Sequence, residues 1–314
     1  MTYTQFYQLT DEPFRLTPDP RFLQLPEPHR IALTNLLNGI IHRKGIIVVS
    51  GGVGTGKTTL LHAMLHLIST QTVATGPISS AFVLNPVLSR EELLEAIIDE
   101  FEIKCTGTSK PRRLAALNDM LLGMQRKGGT AVLIIDEAHL LNAELLEEIR
   151  LLTNADTHQE KLLQVILSGQ PELGPLLRRP EMHALRQRVA SRSELRPLSL
   201  PESRVYIAER LSVAGLRGPS LFTASALEST HKFSNGVPRL INLLCDQCLT
   251  IGCANRVTQI VPAMVEEAAL ALDMLQPEAP HTPDKSPQVT IPRNTLDLII
   301  EAFKQDRIAV ESKR

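Results

Sequence analysis

Apolar positions along the chain change their period several times, and each change marks an element. Between 29 and 43, Ile31, Leu33, Leu36, Leu37, Ile40 and Ile41 recur at helical spacing. Gly45 then precedes a short β-branched run, Ile46–Val49, which predicts a buried strand. A glycine-rich turn and a helix from Lys57 to Ser69 come next. Strands are predicted at Ala81–Leu84, Ala131–Ile135 and Leu162–Leu167, with Ser193–Leu195 as a fifth. Between them lie helical patterns at 90–102, 112–126 and 143–153, the first opened by a capping box, Ser89-Arg90-Glu91-Glu92. Strands that are nearly continuous in apolar residues and alternate with helices predict an α/β fold, a parallel sheet covered on both faces.

After Pro201 the strand signals stop. Segments 202–214, 223–233, 237–251 and 262–274 read as helices, so a small all-α domain is expected over 201–275. The α/β domain is expected over 29–200, behind an aromatic- and proline-rich N-terminal segment, 1–28, with Thr17-Pro18-Asp19-Pro20 as a turn signal. Residues 276–293 hold Pro277, Pro280, Pro283, Pro287 and Pro292 among polar filler, the composition of an extended linker. A short tail, 294–314, places Leu296, Ile299, Ile300 and Phe303 on one helical face. Such a helix is too short to hold itself, so it either docks or frays.

Composition narrows the class. The 314 residues are 43% hydrophobic and 21% charged, which excludes a disordered, collagenous or disulfide-scaffold chain. Lys plus Arg is 33 against 34 Asp plus Glu, so no global charge draws the chain to nucleic acid or lipid, although a local patch could. Five of the eleven aromatic residues, Tyr3, Phe6, Tyr7, Phe14 and Phe22, crowd the first 22 positions. Cys245 and Cys248 have redox or metal spacing but lie in an apolar helical run with no second pair downstream, which favours reduced core thiols. The longest apolar runs are four to five residues, far short of the ~20 a membrane span needs, and the N-terminus has no signal-peptide pattern. The expected location is cytoplasmic, with peripheral docking on a membrane protein open.

Candidate chemistry concentrates at three strand ends. Gly51-Gly52-Val53-Gly54-Thr55-Gly56-Lys57-Thr58 succeeds a strand and opens a helix, the context of a phosphate-binding P-loop, or Walker A. Its backbone N–H groups, with those of Thr59, would cradle ATP phosphates at a helix N-terminus. Lys57 would reach the β- and γ-phosphates, and Thr58 would place its hydroxyl on Mg2+. Val132–Ile135 runs into Asp136-Glu137, a Walker B pattern: Asp136 would hold the Mg2+ shell, and Glu137 would orient or deprotonate the attacking water. His139 is expected to be a neighbour of that site, not a catalyst. Beyond Leu167, Gln170 is the first candidate to sense the γ-phosphate, with Ser168 second.

Arg178, Arg179, Arg186, Arg188, Arg192 and Arg196 cluster with only Glu181 and Glu194 between them. Three readings compete: a solvated face, a finger delivered into a neighbour's ATP site and worth roughly 10³–10⁵ in rate, and a patch that tracks DNA phosphates. Arg188 and Arg192 are best placed for the finger. Gly236-Val237-Pro238-Arg239 opens an apolar helix, where Arg239 could meet the nucleotide's phosphates.

This order of motifs resembles the AAA+ ATPases. More narrowly it is similar to the ExeA/GspA-type ATPases of bacterial secretion and pilus assembly, including the MSHA pilus relatives. The likeness rests on Phe6-Tyr7, Pro13-Phe14, Thr17–Phe22, Gly54–Leu61, Asp136–His139, Gly169-Gln170-Pro171-Glu172-Leu173, Gln187-Arg188 and Gly236–Asn242. It implies a five-stranded sheet of order 5-1-4-3-2, an α-helical lid, ATP-dependent homo-oligomers, and an N-terminal segment packed along the nucleotide domain. Longer members of that group add a membrane span and a peptidoglycan-binding region, where this chain shows a linker and a short tail. The resulting expectation is an Mg2+-dependent ATPase that couples ATP hydrolysis to assembly of a secretion or pilus machine, with an inner-membrane assembly protein as partner. The alternative is a DNA-associated ATPase that regulates a transposase.

Overall fold

A computed structural model describes residues 2–16, 26–69, 76–84, 88–105, 109–155 and 160–274, together with Pro86 and Gly107. The linker, the tail and the Thr17–Phe22 signal fall outside these residues. The order of elements is α1 (Tyr3–Phe6), α2 (Glu27–Ile41), β1 (Ile46–Gly51), α3 (Lys57–Ser69), β2 (Ile78–Val83), α4 (Arg90–Glu100), α5 (Lys110–Arg126), β3 (Thr130–Ile135), α6 (Ala143–Leu152), β4 (Leu163–Gly169), α7 (Leu173–Arg178), α8 (His183–Arg186) and β5 (Val189–Leu195). Then come α9 (Leu200–Val213), α10 (Ala224–Ser234), α11 (Pro238–Ala254) and α12 (Pro262–Ala271).

The strands form one five-stranded sheet in the order β2-β3-β4-β1-β5, the order the AAA+ resemblance implies. β2 pairs with β3, β3 with β4, and β4 with β1, all in parallel. Every residue of β4 is buried, which suits a central strand covered on both faces. Its one long polar side chain, Gln164, is satisfied by the Gly45 N–H at 2.7 Å and the Lys161 carbonyl at 2.8 Å. Register brings the strand ends level: Ile135 lies opposite Leu167, and Val49 opposite Ser168. The C-terminal ends of β1, β3 and β4 therefore lie at the same end of the sheet.

Both outer strands begin earlier than apolar runs predict, β2 at Ile78 and β5 at Val189. Each lies at a rim of the sheet and is buried only in part, so Ser79, Ser80, Ser191, Arg192 and Glu194 are tolerated there. A strand-end search keyed to apolar runs cannot see them.

Among the described residues the chain packs as two compact units. One gathers residues 31–51 and 60–194 around a core that includes Ile46, Leu133, Val165, Leu93, Leu121 and Ile149. The other gathers the residues up to Arg30, Gly52–Thr59 and those from Leu195 onward, with a core of Ile207, Leu211, Ile241, Leu244, Cys245, Cys248 and Val265. Cys245 and Cys248 are thus free, buried thiols, and burial pushes that of Cys248 up to about 12.

Of the early aromatics, Tyr3, Phe6, Tyr7 and Phe14 belong to this second core. The helices offer the apolar face that a short segment cannot make for itself. Tyr7, Leu9 and Phe14 are buried with the helical residues, and Phe14 meets Phe222 edge-on at 6.4 Å. A Cβ at Gly252 would collide with Tyr7 Oη, so the bare helix surface there is the seat of the Tyr7 hydroxyl. Polar bonds complete the strap: Tyr3 Oη donates to Asp246 Oδ1 at 2.7 Å, Tyr7 Oη to the Val257 carbonyl at 2.9 Å, and Arg210 Nε to the Pro13 carbonyl at 2.6 Å.

Candidate nucleotide site

β1 ends at Gly51, the loop turns through Gly52–Gly56, and α3 begins at Lys57. Gly54 and Gly56 take φ of +77° and +95°, conformations that L side chains rarely adopt. The Gly52 carbonyl gathers three donors: Thr55 N at 3.3 Å, Thr55 Oγ1 at 2.8 Å and Lys57 Nζ at 3.1 Å. Thr55 is buried, so its hydroxyl serves the loop and only its backbone is available to a ligand. Lys57 is buried too, and its cation lies at the N-terminal, partially positive end of α3. The Gly52 carbonyl is a weak partner for a buried ammonium, and a phosphate oxygen would be a stronger one. Thr58 and Thr59 complete the first turn.

Within the same unit the loop touches the start of α11. The Arg239 N–H donates to the Gly54 carbonyl at 3.2 Å. A Cβ on Gly54 would lie 2.9 Å from that of Arg239 and 3.0 Å from Val237 Cγ1, so Gly54 is needed for close approach as well as for its φ. The Arg239 side chain stays exposed beside the loop. Sequence motifs alone bring neither contact into view.

The acidic turn beyond β3 is built from side chains. Asp136 is buried, and its Oδ1 accepts from Ser168 Oγ at 2.7 Å and from the Glu137 N–H at 3.0 Å. Glu137 itself sits in the left-handed region at φ +52°, a conformation that costs a non-glycine residue roughly 1–2 kcal/mol. The turn brings Glu137 Oε2 to 3.3 Å from His139 Nδ1. That nitrogen already accepts the Gln170 N–H at 3.3 Å, so a neutral His139 has no proton there to give. Oε2 is buried, and it receives no hydrogen bond among the described residues. Such an oxygen is an open acceptor at the end of an apolar strand.

The structure redistributes the expected roles around this turn. Gln170 meets the cluster through its backbone N–H, whereas Ser168 places its side chain on Asp136. Of the two residues named from sequence, Ser168 is thus the one whose side chain meets the acidic turn. Strand register decides it: Ser168 is the second-last residue of β4, and the side-chain alternation of the strand turns it toward Asp136.

The arginines also separate. Arg188 Nη1 donates to Thr153 Oγ1 at 3.0 Å and to the Arg150 carbonyl at 3.4 Å, a cation satisfying the C-terminal end of α6. Arg196 forms a two-pronged pair with Glu202 at 2.8 and 2.9 Å, which together with Ser199 holds the Glu202 carboxyl down at about 2. Arg192 remains exposed on rim strand β5. Partial shielding of its guanidinium, and then the charges of Arg178 and Arg186, lower its hold on the proton.

Residues 40–177 match a family model described as an AAA domain. The chain carries an AAA domain. It is also similar to the General secretion pathway protein A of Aeromonas hydrophila, 40% identical over 277 residues. That alignment covers 88% of this chain but 49% of the relative, so the chain spans about half the length of the curated protein it matches. Solved structures share the AAA+ fold at low identity. The ORC2 protein of Aeropyrum pernix, in its ADPNP-ADP complexes, has a TM-score of 0.63 at 16% identity, covering 82% of this chain and 71% of its own. Drosophila ORC bound to DNA has a TM-score of 0.65 at 19%, over 87% and 66%. The RuvB Holliday junction branch migration motor of Thermotoga maritima has 0.52 at 18%, over 77% and 69%. These likenesses establish the fold alone.

One contact to the loop escapes the sequence motifs, that of His29 near the start of α2. No motif flags a histidine there. The signal available is a histidine in the first turn of a helix, with Pro26 and Pro28 just before it. Among the described residues no helix is long and apolar enough to cross a membrane.

Proposed function

We propose that this chain is an Mg2+-dependent ATPase that couples ATP binding and hydrolysis to assembly of a bacterial secretion or pilus machine. It would work at the cytoplasmic side of the inner membrane as a homo-oligomer docked on an assembly protein. The hydrolytic part rests on one observation above all, the acidic turn in which Glu137 Oε2 is buried without a donor while Ser168 fixes its neighbour Asp136. The machine is inferred from the 40% identity to General secretion pathway protein A.

The residues fit the ligands. Gly52–Thr59 offers the N–H groups, and Lys57 the charge, that a triphosphate needs. Thr58 and Asp136 supply the hard hydroxyl and carboxylate oxygens that suit Mg2+. When bound, Mg2+ neutralises charge on the β- and γ-phosphate oxygens. Glu137 Oε2 accepts a proton from the water and orients it, and Ser168 keeps Asp136 from turning. Arg239 contacts the phosphates from the first turn of α11. Arg192 is the better finger of the two arginines named from sequence, since Arg188 is committed to α6. Mutual repulsion of Arg192, Arg178 and Arg186 is relieved by an anion, which a neighbouring subunit's nucleotide would provide.

Phosphate release by the purified chain tests this reading. The expected result is turnover that chelation of Mg2+ abolishes, with specific activity rising steeply as protein concentration rises. No turnover at any concentration overturns the ATPase, and constant specific activity down to the monomer removes the neighbour's arginine.

A further inference from the structure

The phosphate loop is gripped on a side that no Walker motif describes. His29 is 4% exposed, and its Nε2 lies 2.6 Å from the Thr55 carbonyl. A carbonyl can only accept, so Nε2 carries the hydrogen. The other ring nitrogen, Nδ1, is buried with no hydrogen-bond partner among the described residues. The ring is therefore locked in one neutral tautomer, since a second N–H would have nothing to donate to. Burial lowers the pKa of His29 in the same sense; the Thr55 carbonyl and Glu202 oppose this, and Arg196 adds to it. Backbone bonds fix the ring's base: the Pro26 carbonyl accepts from His29 N at 2.9 Å and from Arg30 N at 3.0 Å.

Planarity of the peptide carries this grip to the far side of the loop. In a trans peptide the C=O and the next N–H point in opposite directions. Holding the Thr55 carbonyl on the His29 side therefore turns the Gly56 N–H to the opposite side. The ring also leaves no room at Gly56, where a Cβ would lie 2.9 Å from Nε2. Three facts thus meet at one peptide: a positive φ at Gly56, a bare Cα, and an imidazole that takes the carbonyl before it.

We infer that His29 is a positioning residue of the nucleotide site, a neutral imidazole that aims the Gly56 N–H of the phosphate loop at the bound phosphates. This rests on the reading of Gly52–Thr59 as a phosphate site. It predicts an effect on the phosphates alone, independent of the base.

Isothermal titration of the full chain with ATP, and separately with inorganic tripolyphosphate, tests it. His29→Ala is expected to weaken both ligands by the same factor, about tenfold, as for loss of one hydrogen bond. His29→Gln, whose amide N–H can reach the position of Nε2, is expected to bind within about threefold of wild type. His29→Asn, one bond shorter, is expected to bind as weakly as the alanine variant. Wild-type affinity in His29→Ala overturns the proposal, and so does a glutamine variant that binds no better than asparagine. If the alanine variant does not fold, the glutamine–asparagine pair decides alone. Failure of the wild-type chain to bind ATP or tripolyphosphate is a different result, and it overturns the ATP reading itself.

Discussion

The phosphate loop and the acidic turn are made by opposite means. Gly52–Thr59 is shaped by backbone: glycines at positive φ, carbonyls taken by Arg239 N–H and His29, and a lysine resting on the Gly52 carbonyl. Asp136–His139 is shaped by side chains: Ser168 on Asp136, His139 between the Gln170 N–H and Glu137, and a strained φ at Glu137 that re-aims its carboxylate. A loop of backbone donors suits an anion that must be held whatever its state. A turn with an unfilled carboxylate oxygen suits a water that must be held only while it reacts. Binding and chemistry are therefore expected to separate by mutation, one in each region.

The largest effect is expected in the loop. Lys57→Ala should lower ATP affinity at least ~100-fold by calorimetry, because a buried charge-assisted partner of the phosphates is lost. A comparable loss of affinity in a variant of the acidic turn would erase the contrast. A smaller effect sharpens the turn itself. Ser168→Ala should slow turnover about tenfold, because Asp136 loses its hydroxyl donor. Gln170→Ala should change turnover by less than about twofold, since the backbone N–H that reaches His139 remains. Equal loss in the two variants, read as steady-state phosphate release, would restore Gln170 as the sensing side chain.

The same contrast explains what was legible in the sequence. Glycine's conformational demand is local, so Gly54 and Gly56 announce the loop without any tertiary knowledge. The central strands are legible for a related reason: β3 and β4 are buried on both faces and are apolar along most of their length. The rim strands are not, because one exposed side admits Ser79, Ser80 and Arg192. Ser168 is legible only as the second candidate, since its bond to Asp136 depends on the register of β3 against β4. Arg188 and Arg192 look alike as letters, yet one is spent on the end of α6 and the other is exposed on β5. His29 was invisible, because its partner lies 26 residues away and is a carbonyl, which any residue would supply. The early aromatics stand out in the sequence, but the seat of Tyr7 in the helical core is the notch at Gly252, which only packing reveals.

The central claim is that Glu137 serves the reacting water and not the nucleotide. The direct measurement is ATP affinity and phosphate release side by side in Glu137→Gln. Affinity within about threefold of wild type, with turnover reduced at least ~100-fold, is the predicted result for loss of a general base. Unchanged turnover would contradict it.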